Sequence, residues 1–370
     1  MKKILLAVLA IVMMIGCSGK KEENVIEIAC NLPLTGNFSV YGTDVKNGIE
    51  MARIHYKDSC LKYGLNIRVD YQDNSGDSKK AVSVYKSHEL EGYDIYVSGI
   101  TPQTAAILNF QKQSKLPHFI WSFAPLMLDD YPNLYRMWVD YPKEAEYFLN
   151  YIVSKNYKNI ACIYPNAESA HTIFNELFIP KAEELGLKVV CNEEFDVSMS
   201  DFKNSMAKIK SSNPDVILVN GWDSHLLPII KEVHNNNLLK DGNVVFTFDF
   251  MDVVGKLSDE YLNGMIANIP DYEISDNEEK KIWQKNYEQL YNCKPTYTAA
   301  YAYDFFTLLY DVYKRAKLTD DKIDFNIDEY IMSSNFNGIT GVVKFSSSGE
   351  QIGKYQTCRY DDGCYVVINK

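Results

Sequence analysis

The side chains best suited to recognising a small molecule lie at the ends of strand-like runs in this sequence. Thr101 precedes Pro102 at the start of a helical stretch. A helix start presents free N–H groups and the positive end of the backbone dipole, which together attract a carboxylate. The Thr101 hydroxyl could add a donor, or it could serve only as the cap of its own helix. Phe38 and Tyr41 belong to a Thr-Gly turn over 35–41 and could wall a cleft with ring faces. The alternative is a surface turn with Tyr41 packed under the next helix. Ser122, Phe123 and Ala124 follow another strand, and the rings of Trp121 and Phe123 either pack inside the domain or line a pocket. Glu168 lies near a helix start, where an acid suits the dipole and needs no further role. Trp222 and Asp249 follow two later strands. A carboxylate in a partly dry, closing cleft attracts a cation more strongly than one in water. Asp249 could equally be a loop or capping acid.

Bond-breaking chemistry has no comparable support. The sequence has no G-x-S-x-G elbow, H-E-x-x-H, P-loop or G-x-G-x-x-G. The six histidines, His55, His88, His118, His171, His225 and His234, are dispersed. His118 sits in an apolar strand and reads as a core imidazole. His171 and His225 lie near helix starts. Asp249 and Glu168 have no spacing that makes them a catalytic pair. The cysteines lack zinc-site spacing. The expectation is therefore binding rather than catalysis, with neither metal nor cofactor.

The amino terminus carries an address. Lys2 and Lys3 precede an apolar run from Ile4 to Ile15, then Gly16 and Cys17. A basic head, a short apolar core and a small residue describe an export signal. The run is shorter than the roughly 20 residues of an ordinary membrane span. Cys17 looks like the lipid acceptor of a bacterial lipobox; a plain signal peptide is the alternative. On this reading 1–16 is a lipoprotein signal peptide and 17–24 a spacer. The protein is then exported and held at a membrane by its lipid alone, on the periplasmic face or the cell surface.

Length suggests two domains. Hydrophobic and charged contents of 46% and 24% fit a soluble globular body. A net charge of −11, without any Lys/Arg block, argues against nucleic acid as a partner. Of eight cysteines, Cys358 and Cys364 flank the turn Asp361-Asp362-Gly363. They could form a disulfide across a hairpin or remain thiols.

Strand and helix patterns alternate from Val25 onward. Strands are predicted over 25–32, 65–72, 93–98 and 118–122, and helices over 44–57, 78–89 and 102–114. The rhythm resumes with helices over 145–155, 170–185, 201–211 and 226–235, and strands over 159–164, 188–191, 216–220 and 244–248. Amphipathic helices follow over 276–291 and 298–316, then a β-like tail over 341–368. Such alternation implies α/β architecture: doubly wound parallel sheets with helices on both faces, here in two lobes, each with its own layered core.

Several local signatures then fall in a recognisable order. They are Asn31-Leu32-Pro33-Leu34-Thr35-Gly36 with Tyr41-Gly42 and Asn47-Gly48; Tyr71-Gln72-Asp73-Asn74-Ser75-Gly76-Asp77 with Ala81; and Ser98-Gly99-Ile100-Thr101. Next come Leu116-Pro117-His118-Phe119-Ile120 and Asn213-Pro214-Asp215-Val216-Ile217. The last are Tyr297-Thr298-Ala299-Ala300-Tyr301-Ala302-Tyr303-Asp304 and Gly341-Val342-Val343-Lys344-Phe345. Together, from Ile26 to the carboxyl terminus, they resemble the type I periplasmic solute-binding proteins of ABC transporters, in the leucine/isoleucine/valine-binding family.

The resemblance implies two lobes, 25–137 with 270–345 and 138–269 with 346–370, joined by a three-segment hinge near 136–140, 268–270 and 345–353. It implies that the Thr101 turn holds a ligand carboxylate, that Trp222 presents an aromatic face and that Asp249 meets an ammonium. Where the family has small residues, this chain places Trp121 and Phe123, and the 165–169 loop lacks the family's Tyr-Gly pair. The implied ligand is an amino acid or related small polar solute. The implied partners are an ABC permease and ATPase. A ligand sensor of the same fold and, further off, a secreted hydrolase are the alternatives.

Overall fold

A computed structural model describes residues 25–123, 128–274, 277–320, 326–353 and 355–368. The expected signal peptide, the expected lipid acceptor Cys17, the expected spacer and Ala124 lie outside the described residues.

The first sheet has the order β2-β1-β3-β4-β5. Its strands are β1 (Val25–Leu32), β2 (Asn66–Asp73), β3 (Ile95–Gly99), β4 (His118–Trp121) and β5 (Leu134–Arg136), and every pairing is parallel. The second sheet has the order β14-β13-β10-β9-β8-β6-β7. Its parallel part is β6 (Asn159–Pro165), β7 (Lys188–Phe195), β8 (Val216–Val219), β9 (Val244–Phe246) and β10 (Ile266–Pro270). β11 (Phe336–Gly338) and β12 (Gly341–Val343) form a separate antiparallel pair, and β13 (Tyr355–Asp361) and β14 (Cys364–Val367) add an antiparallel edge to the second sheet. Central strands such as β8 are buried at every residue. That is why they read as unbroken apolar runs.

Helix α1 (Ser39–His55) starts earlier than the sequence pattern suggested, so Tyr41 is helical rather than part of a turn. Gly42 hid this start, and Gly48 lies further along the same helix. A Cβ at Gly42 would collide with the Pro33 carbonyl, and one at Gly48 with the Ala299 carbonyl. Both positions need backbone contact more than helix propensity. The Gly48 contact seats α1 against the long helix α2 (Tyr297–Asp320). The chain therefore returns from β10 of the second sheet to cover the first, then runs back to β13. The helix expected over 170–185 begins at Glu168 and passes through a π-helical stretch, Thr172–Phe178, before Pro180.

The carboxyl-terminal hairpin corrects the possible disulfide. Asp362 and Gly363 both have positive φ, 46° and 83°, and form a two-residue turn. This register pairs Cys358 with Val367 and Asp361 with Cys364. Side chains alternate faces along a strand, so Cys358 is buried and Cys364 exposed, and both are free thiols.

Each sheet has a buried layer of its own, separate from that of the other: Ala29, Tyr85, Tyr96 and Ile107 in the first and Ala161, Ile163, Ile217 and Val219 in the second. One buried cluster spans the facing layers of both sheets, because the loops at their carboxyl ends carry aromatic rings that pack together. Smaller clusters cover the remaining faces. No described helix is long and apolar enough to cross a membrane.

Candidate functional site

The carboxyl ends of the two sheets meet in an aromatic seam. Phe123, just beyond β4, packs on Tyr141 with ring centroids 4.5 Å apart and on Phe248, beyond β9, at 6.1 Å. Trp138 approaches Phe123 at 6.2 Å and Tyr297 at 5.4 Å. Tyr355 and Tyr297 flank Phe248.

On the first-sheet side the turn after β3 is strained. Ile100 has φ 57° and ψ 146°, a region that favours glycine and penalises a β-branched residue. Its N–H donates to the Trp121 carbonyl at 2.8 Å, and its own carbonyl accepts from the Thr104 N–H at 3.1 Å. Ile100, not Thr101, occupies the cap position of the helix Thr101–Gln111. The Thr101 hydroxyl accepts from the Phe123 N–H at 3.1 Å instead, which leaves its proton to donate elsewhere. Beneath the turn, the Ser98 hydroxyl meets Thr104 Oγ1 at 2.9 Å and His118 Nε2 at 2.8 Å. Burial pushes His118 down to about 3, so it stays neutral and structural.

Two neighbouring loops are fastened together by Asp73. Its carboxylate accepts from the N–H groups of Leu34, Thr35 and Ser75 and from the hydroxyls of Thr35 and Ser75, at 2.6–3.1 Å. Partial burial opposes ionisation, but these donors outweigh it and hold the carboxyl far below the usual range. The Thr-Gly and Asp-Asn-Ser-Gly-Asp motifs thus make one structural unit.

Ser122 is buried, and its carbonyl accepts from the Arg136 guanidinium. Arg136, 1% exposed, also makes a two-pronged pair with Glu350, with Nε–Oε2 at 2.8 Å and Nη2–Oε1 at 3.2 Å. Its backbone N–H reaches the Gly349 carbonyl at 3.0 Å. One side chain therefore ties together two segments that pass between the sheets and the loop after β4.

On the second-sheet side the polar groups converge on Asp249. Its Oδ2 accepts from Asn220 Nδ2 at 2.8 Å and from the Thr247 hydroxyl at 2.7 Å. Asn220 Nδ2 also reaches the Tyr141 hydroxyl at 2.8 Å. Burial, then the charge of Asp252, push Asp249 up to about 7, against the pull of these donors. Below it, buried Glu144 accepts from the Phe248 N–H at 2.9 Å and Asn268 Nδ2 at 2.5 Å, and burial pushes its carboxyl well up. The site can therefore offer neutral donors on one side and a titratable acceptor on the other.

Thr101, Ser122, Phe123 and Asp249 come together at the seam. Tyr41 borders a small recess beside it, with Gly99, Ile100, Trp121, Trp138 and Thr298. Phe38 stays 39% exposed and rests near the Gly76 turn instead. Trp222 stays 45% exposed, with its ring 5.0 Å from His225. Glu168 is exposed at the first turn of a short helix, as a dipole-matching acid would be. His225 and His171 are engaged by the Val197 carbonyl and Glu194. Sequence reasoning missed Trp138, Tyr141, Asn220, Thr247 and Tyr297. Asn220 follows β8, so the rule that ligands sit beyond carboxyl strand ends could have found it. Trp138 and Tyr141 lie in and beside a segment read only as a crossing.

A sequence model described as "Periplasmic binding protein" matches residues 25–359. Leu/Ile/Val-binding protein homolog 1 of Brucella suis is 23% identical over 253 residues, which span 64% of this chain and 65% of that relative. Among solved structures, the branched-chain amino acid transporter substrate-binding protein LivJ of Streptococcus pneumoniae, in complex with isoleucine, aligns with a TM-score of 0.73. It is 20% identical and covers 94% of this chain and 100% of its own. A Rhodopseudomonas palustris ABC transporter solute-binding protein in complex with benzoate has a TM-score of 0.74 at 17% identity, covering 93% of this chain and 96% of its own. These likenesses show the type I periplasmic binding protein fold, and the extent of the first match makes this chain a member of the periplasmic binding protein family.

Proposed function

We propose that this protein is a lipid-anchored receptor that captures an amino acid or related small polar solute between two lobes and delivers it to an ABC permease and ATPase. The lobes are 25–137 with 270–345 and 138–269 with 346–370, turning about the segments tied by Arg136. The observation that carries this reading is the packing of Phe123 on Phe248. It sets Thr101 and Ser122 on one side of a seam and Asp249 on the other. The Thr101 turn takes the anionic end of the solute, and Asp249 takes an ammonium. Only the shut arrangement makes both sets of contacts, so the solute shifts an open–closed equilibrium. The lipid on Cys17 keeps the receptor beside its permease.

Mass spectrometry of co-purifying solutes, followed by a thermal-shift panel of amino acids and benzoate, tests the reading. A solute at 100 times its dissociation constant adds about 2.7 kcal/mol. Asp249→Asn is expected to weaken an amino acid more than its deaminated analogue. Equal losses would remove Asp249 from the ammonium role.

A further inference from the structure

Aromatic rings and one carboxylate share the seam. Phe123 lies 4.5 Å from Tyr141 and 6.1 Å from Phe248, centroid to centroid, and Tyr297 lies 6.1 Å from Phe248. Tyr141 and Phe248 are buried, whereas Phe123, Tyr297 and Asp249 each keep part of their surface accessible. Asp249 follows Phe248 directly and is joined to the Tyr141 hydroxyl through Asn220. A molecule held between the lobes therefore meets ring surface and a carboxylate together. The donors to Asp249 are an amide and a hydroxyl, both neutral. A cation supplies the charge they lack, whereas a purely hydrocarbon guest leaves the carboxylate facing apolar surface at a cost. Hydrogen bonding decides which cation fits. A primary ammonium brings three N–H donors. Asp249 Oδ2 already accepts from Asn220 and Thr247, the Tyr141 hydroxyl accepts from Asn220, and a phenyl ring has no oxygen to offer. An ammonium whose hydrogens are replaced by methyl groups makes no such demand. It is held by ring faces and by a nearby negative charge, most firmly where water is excluded.

We infer that Phe123, Phe248 and Tyr297, with the Asp249 carboxylate, form a cage for a quaternary ammonium, so that the solute is an N-methylated amino acid of the betaine type rather than one with a free amine. This rests on the solute-binding reading above and changes only the chemistry of the cationic end. The Thr101 turn keeps the carboxylate. Closure then brings rings of both sheets onto the methyl groups, and the fixed charge of the guest, unlike that of an amine, survives at every pH.

The test is calorimetry on the full-length protein in detergent with a graded series: glycine, its mono-, di- and trimethylated forms, and 3,3-dimethylbutanoate. The last has the shape of trimethylglycine with carbon in place of the cationic nitrogen. Affinity is expected to rise along the methylation series, with trimethylglycine binding roughly tenfold more tightly than either glycine or the neutral analogue. Phe123→Leu keeps an apolar side chain and removes the ring, and it is expected to shrink the preference for trimethylglycine over the neutral analogue severalfold. Should that variant fold poorly, the series on the wild-type protein carries the test alone. Equal affinities for glycine and trimethylglycine, or tighter binding of glycine, would overturn the inference and leave the solute-binding reading intact. So would a neutral analogue that binds as tightly as trimethylglycine, or a preference unchanged in Phe123→Leu. If the whole series fails to bind while another amino acid of the thermal-shift panel does, the cage alone is refuted. If no solute of either set binds, the solute-binding reading fails and takes this inference with it.

Discussion

Asp73 and Asp249 stand at matching places in two different sheets, one ending β2 and the other just past β9. Their protons behave in opposite ways. Asp73 has donors from three backbone N–H groups and two hydroxyls, and its carboxyl is held far down. Asp249 has two side-chain donors, a buried setting and Asp252 nearby, and is pushed up to about 7. Position beyond a strand end therefore does not define the role of an acid. Its surroundings do: Asp73 is ringed by donors and fastens two loops, whereas burial first and Asp252 second outweigh the donors at Asp249.

The joint between the two regions offers the largest test. Arg136→Ala leaves the part-buried Glu350 carboxylate without its ion-pair partner and frees the loop after β4. A loss of about 3–5 kcal/mol is expected in denaturant unfolding, with solute affinity falling as well. Stability unchanged within error would show that the two regions are not linked through this side chain. Asp73→Asn should cost roughly 2 kcal/mol at neutral pH, because one carboxylate oxygen becomes a donor facing donors. The folded value lies below the unfolded value of about 4, so Asp73 contributes stability above that pH, and the contribution is lost on acidification. The gap between variant and wild type should therefore narrow in acid.

Asp249→Asn should have the opposite sign. Its folded value of about 7 exceeds the unfolded one, so ionising it destabilises the fold as pH rises from about 4 through 7. The variant should gain on the order of 1–2 kcal/mol at pH 8 and nothing near pH 4. Melting curves at the two pH values compare the pair directly, and gains of the same sign at Asp73 and Asp249 would abolish the contrast. The smallest expected effect is Thr35→Val. It removes one donor of the five and should cost about 1 kcal/mol, with the Asp73 carboxyl titrating at a higher pH by carbon-13 NMR.

Much of the fold was legible because buried parallel strands such as β6 and β8 leave apolar runs, and their helices carry regular spacing. What escaped depends on contacts distant in sequence. The start of α1 was hidden because Gly42 answers to Pro33 rather than to helix propensity. Thr101 looked like a cap, but the Phe123 N–H claims its oxygen. Cys358 and Cys364 have plausible spacing, yet an even separation through a two-residue turn sends them to opposite faces. At the site, Asp249 and Phe123 were visible from their places after strands. Trp138, Tyr141 and Tyr297 were not, since no periodicity tells which rings at a crossing or a helix start will face the other sheet.

The backbone approach of Gly48 to Ala299 has a consequence for assembly in time. The earliest sheet to emerge is capped by a helix synthesised near the end of the chain, and Tyr291 reaches back to the Asn47 carbonyl in the same way. High contact order of this kind slows folding. A chain that stops short of α2 presents α1 with its apolar stripe bare, a species suited to chaperones or proteases rather than to independent life as a half-molecule.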